Sequence, residues 1–136
     1  MKHMIISIFG MVLFMLPGVV FSGADEICCT WVNPAYTSAN PPQMQIRNAD
    51  GTFADYITQE ANDPLKRGTF TIMKKWKDSE GNVWYQIKWQ GPRDERGYEL
   101  AKISDKGNTL ELVMRYDDYP SAIDPANANY RCYTRH

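Results

Sequence analysis

The stretch from Thr69 to Trp89, TFTIMKKWKDSEGNVWYQIKW, decides the fold that this sequence predicts. Two runs rich in β-branched and aromatic residues flank positions 79–82, Ser-Glu-Gly-Asn, which are typical of a four-residue hairpin loop. That loop would place Trp76 opposite Tyr85 and Lys74 opposite Ile87. Because side chains alternate along a strand, the large apolar residues then share one face and Thr, Lys and Gln mostly share the other. The stretch predicts an antiparallel hairpin with one buried face.

Two further turn signals predict hairpins of the same kind. Positions 105–108, Asp-Lys-Gly-Asn, would pair Glu99 with Met114, and Lys102 with Glu111 on the outer face. Positions 48–51, Asn-Ala-Asp-Gly, would place Ile46 opposite Phe53. By the same register Met44 lies opposite Asp55. All three hairpins are consistent with one common inner face.

Short β-rich runs separated by Gly, Asn, Asp and Pro clusters continue along the whole chain after its first residues, and no long segment has helical periodicity. We count eight such runs: Cys28–Asn33, Gln43–Arg47, Thr52–Ile57, Thr69–Lys77, Val83–Trp89, Tyr98–Ser104, Thr109–Arg115 and Asn129–Thr134. Eight is the strand number of small up-and-down barrels. We therefore expect an all-β fold, an eight-stranded antiparallel up-and-down barrel. A helical turn near residues 55–62 stays open as a local alternative.

The first 22 residues resemble a secretory signal peptide. A basic start is followed by an apolar run from Met4 to Phe21 and by small residues, with cleavage expected after Ser22 or Ala24. We expect residues 25–136 to form a single domain that is exported to the periplasm or the medium. The alternative is an uncleaved membrane anchor, although the run is short and interrupted for a spanning helix. After cleavage we expect no membrane span.

The three cysteines lie at the two ends of the expected mature domain. An exported protein can form disulfides, and in an even-stranded barrel the first and last strands are antiparallel neighbours. Cys29 shares a strand face with Trp31, so we expect Cys29 rather than Cys28 to bridge to Cys132 and close the barrel. Such a bridge would close a loop of about 100 residues and contribute on the order of 4–5 kcal/mol. Three reduced thiols are the alternative.

Charge and histidine content exclude several classes of function. Without Lys2, 14 of the 15 basic residues remain against 16 acidic ones, so no strong positive field exists to attract nucleic acid. His136 is the only histidine beyond His3, which excludes most histidine-dependent catalysis and zinc binding. We expect no enzymatic activity, no cofactor and no metal.

Several segments resemble small bacterial secreted domains of the lipocalin-like, or calycin, family. These segments are TWVNPAY from Thr30, DGTF from Asp50, KWKDSEGNVWY from Lys75, LAKIS from Leu100 with GNTLE from Gly107, and IDPANANYR from Ile123. Cys29-Thr30-Trp31 stands where such barrels often carry Gly-x-Trp, with cysteine in place of glycine. The resemblance implies a lipocalin-like barrel and a ligand-binding role, and it assigns no activity.

The expected inner face contains three ionisable residues, Asp55, Lys74 and Glu99, among apolar neighbours. A buried charge must be paired or neutralised, so we expect Lys74 and Glu99 to form an interior pair that orients a ligand. The alternatives are a purely structural pair or side chains that extend to the barrel mouth. The candidate ligand-binding residues are Trp31, Lys74, Trp76, Tyr85, Trp89 and Glu99.

Two functions follow as hypotheses. The first is binding of a small, largely apolar ligand in the barrel mouth, because eight strands leave room for side chains or for one small ligand. The second is a protein-interaction module, such as an inhibitor or an envelope-assembly factor, with a filled barrel and a binding surface that includes outward Trp84. An open interior favours the first hypothesis, and a filled one favours the second.

Overall fold

Eight strands follow one another around a closed barrel in the residues that the computed structural model describes, 25–35 and 42–136. Every strand is antiparallel to its two neighbours, and β1 pairs with β8. The strands are β1 Thr30–Val32, β2 Met44–Arg47, β3 Thr52–Tyr56, β4 Lys66–Lys77, β5 Val83–Gln90, β6 Arg96–Ser104, β7 Thr109–Arg115 and β8 Tyr130–Arg135. The prediction of an all-β up-and-down barrel is confirmed. The expected signal peptide, residues 1–22, lies outside the described residues.

The barrel interior is lined by alternate residues of the strands, as a pleated sheet with one buried face requires. On β5 the residues Val83, Tyr85, Ile87 and Trp89 are buried, and those between them are more exposed. The hairpin around residues 105–108 has the expected register, with Glu99 opposite Met114 and Lys102 opposite Glu111. For β5, β6 and β7 the predicted inner faces are therefore correct.

The inner face of β2 differs from the prediction by one residue. Gly51 adopts a left-handed φ of +85°, which lengthens the turn, and the Asn48 amide donates to the carbonyl oxygen of Thr52 at 2.9 Å. This glycine bulge makes Arg47 the partner of Phe53. Since a shift of one residue exchanges the two faces, the interior side chains of β2 are Gln45 and Arg47 instead of Met44 and Ile46.

A second glycine bulge and a break in β4 exchange the faces of that strand. Gly81 has a φ of +83°, and the resulting turn pairs Trp76 with Trp84 instead of Tyr85. Without a correction, this register would set Ile72 opposite the outward residue Lys88. An irregularity at Met73 shifts the pairing, so that Ile72 meets Ile87 and both side chains are buried. The bulge keeps the apolar side chains of β4 and β5 on the same face. The residues of β4 between the bulge and the turn face the opposite way from the prediction.

The N-terminal segment before β1 closes one end of the barrel. Ile27 is fully buried there, and its carbonyl oxygen accepts a 3.0 Å hydrogen bond from Nε1 of the buried Trp31. The Asp25 carboxylate accepts hydrogen bonds from the Tyr85 hydroxyl at 2.8 Å and from Lys75 Nζ at 2.9 Å. We refer to this end, where the three short hairpin turns also lie, as the closed end and to the opposite one as the open end.

The expected Cys29–Cys132 bridge is absent, because all three cysteines are free thiols. In the β1–β8 pairing Trp31 lies opposite Arg135, so Cys29 and Cys132 are offset by five residues along the strands. Five residues correspond to roughly 16 Å, far beyond the Cα separation that a disulfide spans. Burial raises the pKa of each thiol, Cys28 included. The prediction was wrong because the start of β1 lies beside the end of β8, whereas Cys132 lies nearer its beginning.

No helix within the described part of the chain is long and apolar enough to cross a membrane.

Candidate functional site

A partly open cavity of about 130 Å³ occupies the interior at the open end of the barrel. Strands β2, β4, β6 and β8 begin at this end, and β3, β5 and β7 finish there. Half of the wall is charged or amide-bearing, and the other half is apolar or aromatic. The lining residues are Pro42, Gln45, Arg47, Phe53, Asp55, Lys66, Phe70, Trp89, Glu99, Leu112, Met114, Asn129, Arg131 and Tyr133.

A chain of four hydrogen-bonded side chains crosses the floor of the cavity. Arg47 Nη2 donates to both oxygens of the Glu99 carboxylate, at 2.8 and 3.0 Å. Arg47 Nε donates to Gln45 Oε1 at 2.7 Å, and Gln45 Nε2 donates to Asp55 Oδ1 at 2.7 Å. The Arg47 guanidinium also lies 5.6 Å from the ring centre of Phe70. The chain links β2, β3 and β6 and matches each of the two acids with a donor.

Burial dominates the protonation of the two acids in this chain. Arg47 and Glu99 are only 4% and 5% exposed. Loss of solvation raises the pKa of Glu99, although the Arg47 charge acts in the opposite direction. Burial also raises the pKa of Asp55, against the hydrogen bond from Gln45 and the charges of Arg47, Lys66 and Arg131. Both carboxyls therefore bind a proton more tightly in the folded protein than in the unfolded chain.

The raised pKa of Asp55 predicts a measurable pH dependence of stability. Its contribution to stability is fully present below the unfolded pKa of about 3.9 and is lost as the pH rises through the folded pKa. We expect Asp55→Asn to flatten the decline in unfolding free energy between pH 4 and 8, as measured by urea unfolding. Asp50→Asn is the control, because a hydrogen bond from Thr52 lowers the pKa of Asp50 and gives the opposite sign. An unchanged slope in Asp55→Asn would contradict the assignment.

Two cations stand at the mouth of the cavity. Lys66 Nζ forms a 2.7 Å ion pair with Glu95 and lies 4.3 Å from the ring centre of Trp89. Arg131 has no carboxylate partner among the described residues. Its Nη1 donates to two backbone carbonyl oxygens, of Ala128 at 3.2 Å and of Tyr130 at 2.8 Å. Arg131 therefore keeps donors available at the cavity.

Trp89 lines the cavity and has a buried donor that is unmatched. Its ring packs edge-on against Phe53 and Tyr116, with centres 6.5 and 6.1 Å apart. Position 97 must be glycine for this packing, because a Cβ there would lie 2.6 Å from the Trp89 ring. The side chain is only 7% exposed, yet Nε1 has no hydrogen-bond acceptor among residues 25–35 and 42–136. A buried donor without an acceptor is costly, so this indole needs a partner that the described protein does not supply.

Four of the six candidate ligand-binding residues lie inside the barrel, but only two lie at the cavity. Trp89 and Glu99 line it. Trp31 and Tyr85 are fully buried at the closed end, where they hold the N-terminal segment in place. Their role there is to fill and close the barrel.

The other two candidates, Lys74 and Trp76, lie outside the barrel, so the expected Lys74–Glu99 pair was wrong. Lys74 is exposed, with Nζ 5.1 Å from the ring centre of Trp76. Trp76 stacks on Trp84 with ring centres 6.0 Å apart and planes 11° apart. The turn at Gly81 pairs Trp76 with Trp84 and Lys74 with Gln86, which puts both residues on the outer wall. The partner of Glu99 is Arg47.

Gln45, Arg47 and Arg131 are the cavity residues that the sequence reasoning missed. The first two were assigned to the outer face because the loop at 48–51 was read as a plain four-residue turn. A signal was present, since a glycine in the fourth position of Asn-Ala-Asp-Gly is typical of a type I turn that ends in a left-handed bulge. Arg131 lies within the expected strand Asn129–Thr134, but no inward role was inferred for it.

No group of three or more His, Cys, Asp or Glu side chains in the described ranges is arranged to hold a metal ion. No family model, curated protein or solved structure matches this chain. The closed eight-stranded antiparallel barrel is compatible with a calycin-like fold.

Proposed function

We propose that this protein binds a small molecule in the open-end cavity and performs no chemistry on it. The observation that carries the proposal is the partly open cavity of about 130 Å³ in an otherwise filled barrel. Lipocalin-like barrels of eight strands have room for one small ligand at most. The signal-like leader leads us to propose also that binding takes place outside the cytoplasm.

The size and lining of the cavity limit the ligand. A cavity of roughly 150 Å³ accommodates a single six-membered ring, so the volume here suits one ring or a short chain. Phe53, Phe70 and Leu112 offer apolar contact on one side, and the polar chain of Gln45 and Arg47 lies on another. These surroundings favour a ligand with an apolar part and a polar group over the largely apolar ligand expected from the sequence.

The rim of the open end supports entry of a partly apolar molecule. Four large hydrophobic residues are well exposed in the described chain, and three of them lie on the connections at this end. They are Ile57, Leu65 and Tyr116, with exposures of 43%, 57% and 61%. Exposed apolar side chains beside an opening are typical of binding sites.

Filling the cavity is expected to abolish binding. Met114 lines the cavity, whereas Met73 lies on the outer wall and is 37% exposed. We expect single-ring fragments, neutral and charged, to shift the Met114 methyl resonance of the unmodified protein. Met114→Trp should lose fragment binding at least tenfold, and Met73→Trp should retain it. Binding that survives in Met114→Trp, or the absence of binding to the unmodified protein across the panel, would refute the proposal.

A protein-interaction role is the second candidate, and the outer wall of β4 and β5 favours it. The Trp76–Trp84 stack lies there, with Lys74 5.1 Å from one ring centre and Lys102 5.4 Å from the other. Aromatic rings flanked by cations suit a protein surface with acidic groups. A photo-crosslinking residue at position 84 should capture one defined partner in the producing cell. The same residue at Arg67, which is exposed on the outer wall of β4, should not.

A further inference from the structure

We propose that the ligand is a small organic carboxylate, with its carboxylate at Arg131 and Trp89 and its ring or short chain against Phe70 and Leu112. This inference rests on the proposed function, since it names the chemical class of the molecule that the cavity binds. It commits to one charge and one orientation, both of which can be tested separately from binding itself.

The pairing of charges around the cavity leaves one cation without a carboxylate. Arg47 is matched by Glu99, and Lys66 is matched by Glu95 outside the cavity lining. Arg131 is the cavity cation left without a carboxylate among the described residues, and its hydrogen bonds to the Ala128 and Tyr130 carbonyl oxygens both leave from Nη1. A guanidinium has five N–H donors in a planar fork, which matches the two oxygens of a carboxylate. The N–H donors of Arg131 at the cavity mouth are therefore suited to bind an anion.

The Trp89 indole points to an acceptor-bearing ligand independently of charge. The buried Nε1 of Trp89 lacks an acceptor in the described part of the chain, and an indole can only donate. A ligand that satisfies both Trp89 and Arg131 must present acceptors. An ammonium ligand would leave both donors unmatched and would meet the positive charges of Lys66 and Arg131. A purely apolar ligand would leave the indole donor buried without a partner.

The Asp55 carboxylate would repel a bound anion. Replacing Asp55 therefore tests the proposal in the direction opposite to replacing Arg131. Its carboxyl lines the cavity and receives one side-chain hydrogen bond, from Gln45. The Arg131 charge acts on it electrostatically, but the two side chains form no ion pair within 4.0 Å. A bound carboxylate would gain from Arg131 and be repelled by Asp55. Neutralising either residue should therefore change carboxylate affinity in opposite directions.

The experiment compares three probes of nearly equal size, benzoate, benzamide and benzylamine, by ¹H–¹⁵N NMR on the full chain. Trp31 Nε1 and Trp84 Nε1 have intramolecular acceptors, Ile27 O and Asp78 Oδ2, so their indole signals serve as internal references. We expect benzoate to bind most tightly and to move the Trp89 indole signal downfield while the reference signals stay in place. Benzamide should bind about tenfold more weakly, and benzylamine more weakly still.

Variants then test the orientation. Arg131→Gln should weaken benzoate binding about tenfold and leave benzamide within twofold, and Arg131→Lys should give a smaller loss because it keeps the charge without the fork. Asp55→Asn should strengthen benzoate binding about threefold. Arg67→Gln is the matched control, since it removes an arginine from the outer wall of β4, and we expect no change.

Each remaining outcome has a defined meaning. Equal binding of benzoate and benzamide, unaffected by Arg131→Gln, would overturn the carboxylate assignment and leave the cavity as a small-molecule site. Preference for benzylamine, or weaker benzoate binding in Asp55→Asn, would also overturn it. Binding of none of the three probes to the folded protein overturns the carboxylate assignment as well, and the wider fragment panel then decides separately whether the cavity binds anything. If Arg131→Gln does not fold, Arg131→Lys replaces it as the test variant.

Discussion

Replacing Arg47 with methionine is expected to destabilise the protein by up to about 3–4 kcal/mol at pH 7. The substitution leaves Glu99 buried without its cation, at 5% exposure. The folded variant escapes that penalty by protonating Glu99, which costs about 1.4 kcal/mol for each pH unit above an unfolded pKa of about 4.3. This penalty reaches about 3.7 kcal/mol at pH 7. The difference from the unmodified protein is smaller, because the pKa of Glu99 is already raised there and that protein bears part of the same penalty.

The pH dependence separates this cause from simple loss of packing. In Arg47→Met the pKa of Glu99 is raised further, so the variant loses stability as the pH rises from about 4.3 toward that folded pKa. Urea unfolding should therefore show a deficit that grows from pH 5 to pH 7, by no more than the linkage slope of about 1.4 kcal/mol per unit. The double variant Arg47→Met, Glu99→Met should recover most of the loss at pH 7.

Lys66→Met provides the comparison for an exposed pair. The Lys66 and Glu95 side chains are 23% and 36% exposed, so solvent screens their attraction and we expect a loss of about 1 kcal/mol or less. A deficit in Arg47→Met that is the same at both pH values would mean that the ionised Glu99 is not its source.

Trp31→Ala is expected to cost about 3–5 kcal/mol, whereas Trp76→Ala should cost about 1 kcal/mol. Trp31 is fully buried and donates to the carbonyl oxygen of Ile27, so its loss opens a cavity and frees the segment that closes the barrel. Trp76 is only partly buried on the outer wall, stacked on Trp84. Both substitutions replace tryptophan with alanine. The difference between their unfolding free energies in urea therefore measures the difference in burial between the two sites.

This pair of variants also tests the register of the turn between β4 and β5. If Trp76 paired with Tyr85, Trp31 and Trp76 would share the inner face, and similar costs would be expected for both. A Trp76→Ala deficit as large as that of Trp31→Ala would contradict the observed register. If Trp31→Ala does not fold, Trp31→Phe is the substitute, with an expected cost of about 2 kcal/mol.

The number of strands, their order and their antiparallel pairing could be predicted from the sequence, because turn residues and alternation are local signals. The inner faces of β5, β6 and β7 followed from the same alternation. The faces of β2 and of part of β4 did not, because they depend on single added residues, the bulge at Gly51 for β2 and those at Gly81 and Met73 for β4. A bulge changes the sequence pattern by only one residue, yet it moves every side chain beyond it to the opposite face of the sheet.

The dependence of the strand faces on the bulges also explains which site residues could be predicted. Glu99 was expected inside with a cation, and it is inside with a cation. The partner was assigned as Lys74 instead of Arg47 because both residues lie beyond the misplaced bulges. The role of Arg131 depends on which of its donors find partners, and that depends on three-dimensional contacts with Ala128 and Tyr130 carbonyls that no local pattern encodes.

The meeting of β1 with β8 has a consequence for how the chain folds. Among the described residues this seam contains two register pairs, Trp31 with Arg135 and Val32 with Thr134, and a hydrogen bond from the His136 amide to Thr30 O. These contacts join positions about 100 residues apart, so the chain must bear nearly the whole loop-closure entropy before they form. With three free thiols, no covalent link holds the seam together. We therefore expect the barrel to close here last during folding, and this seam is where two copies could exchange terminal strands.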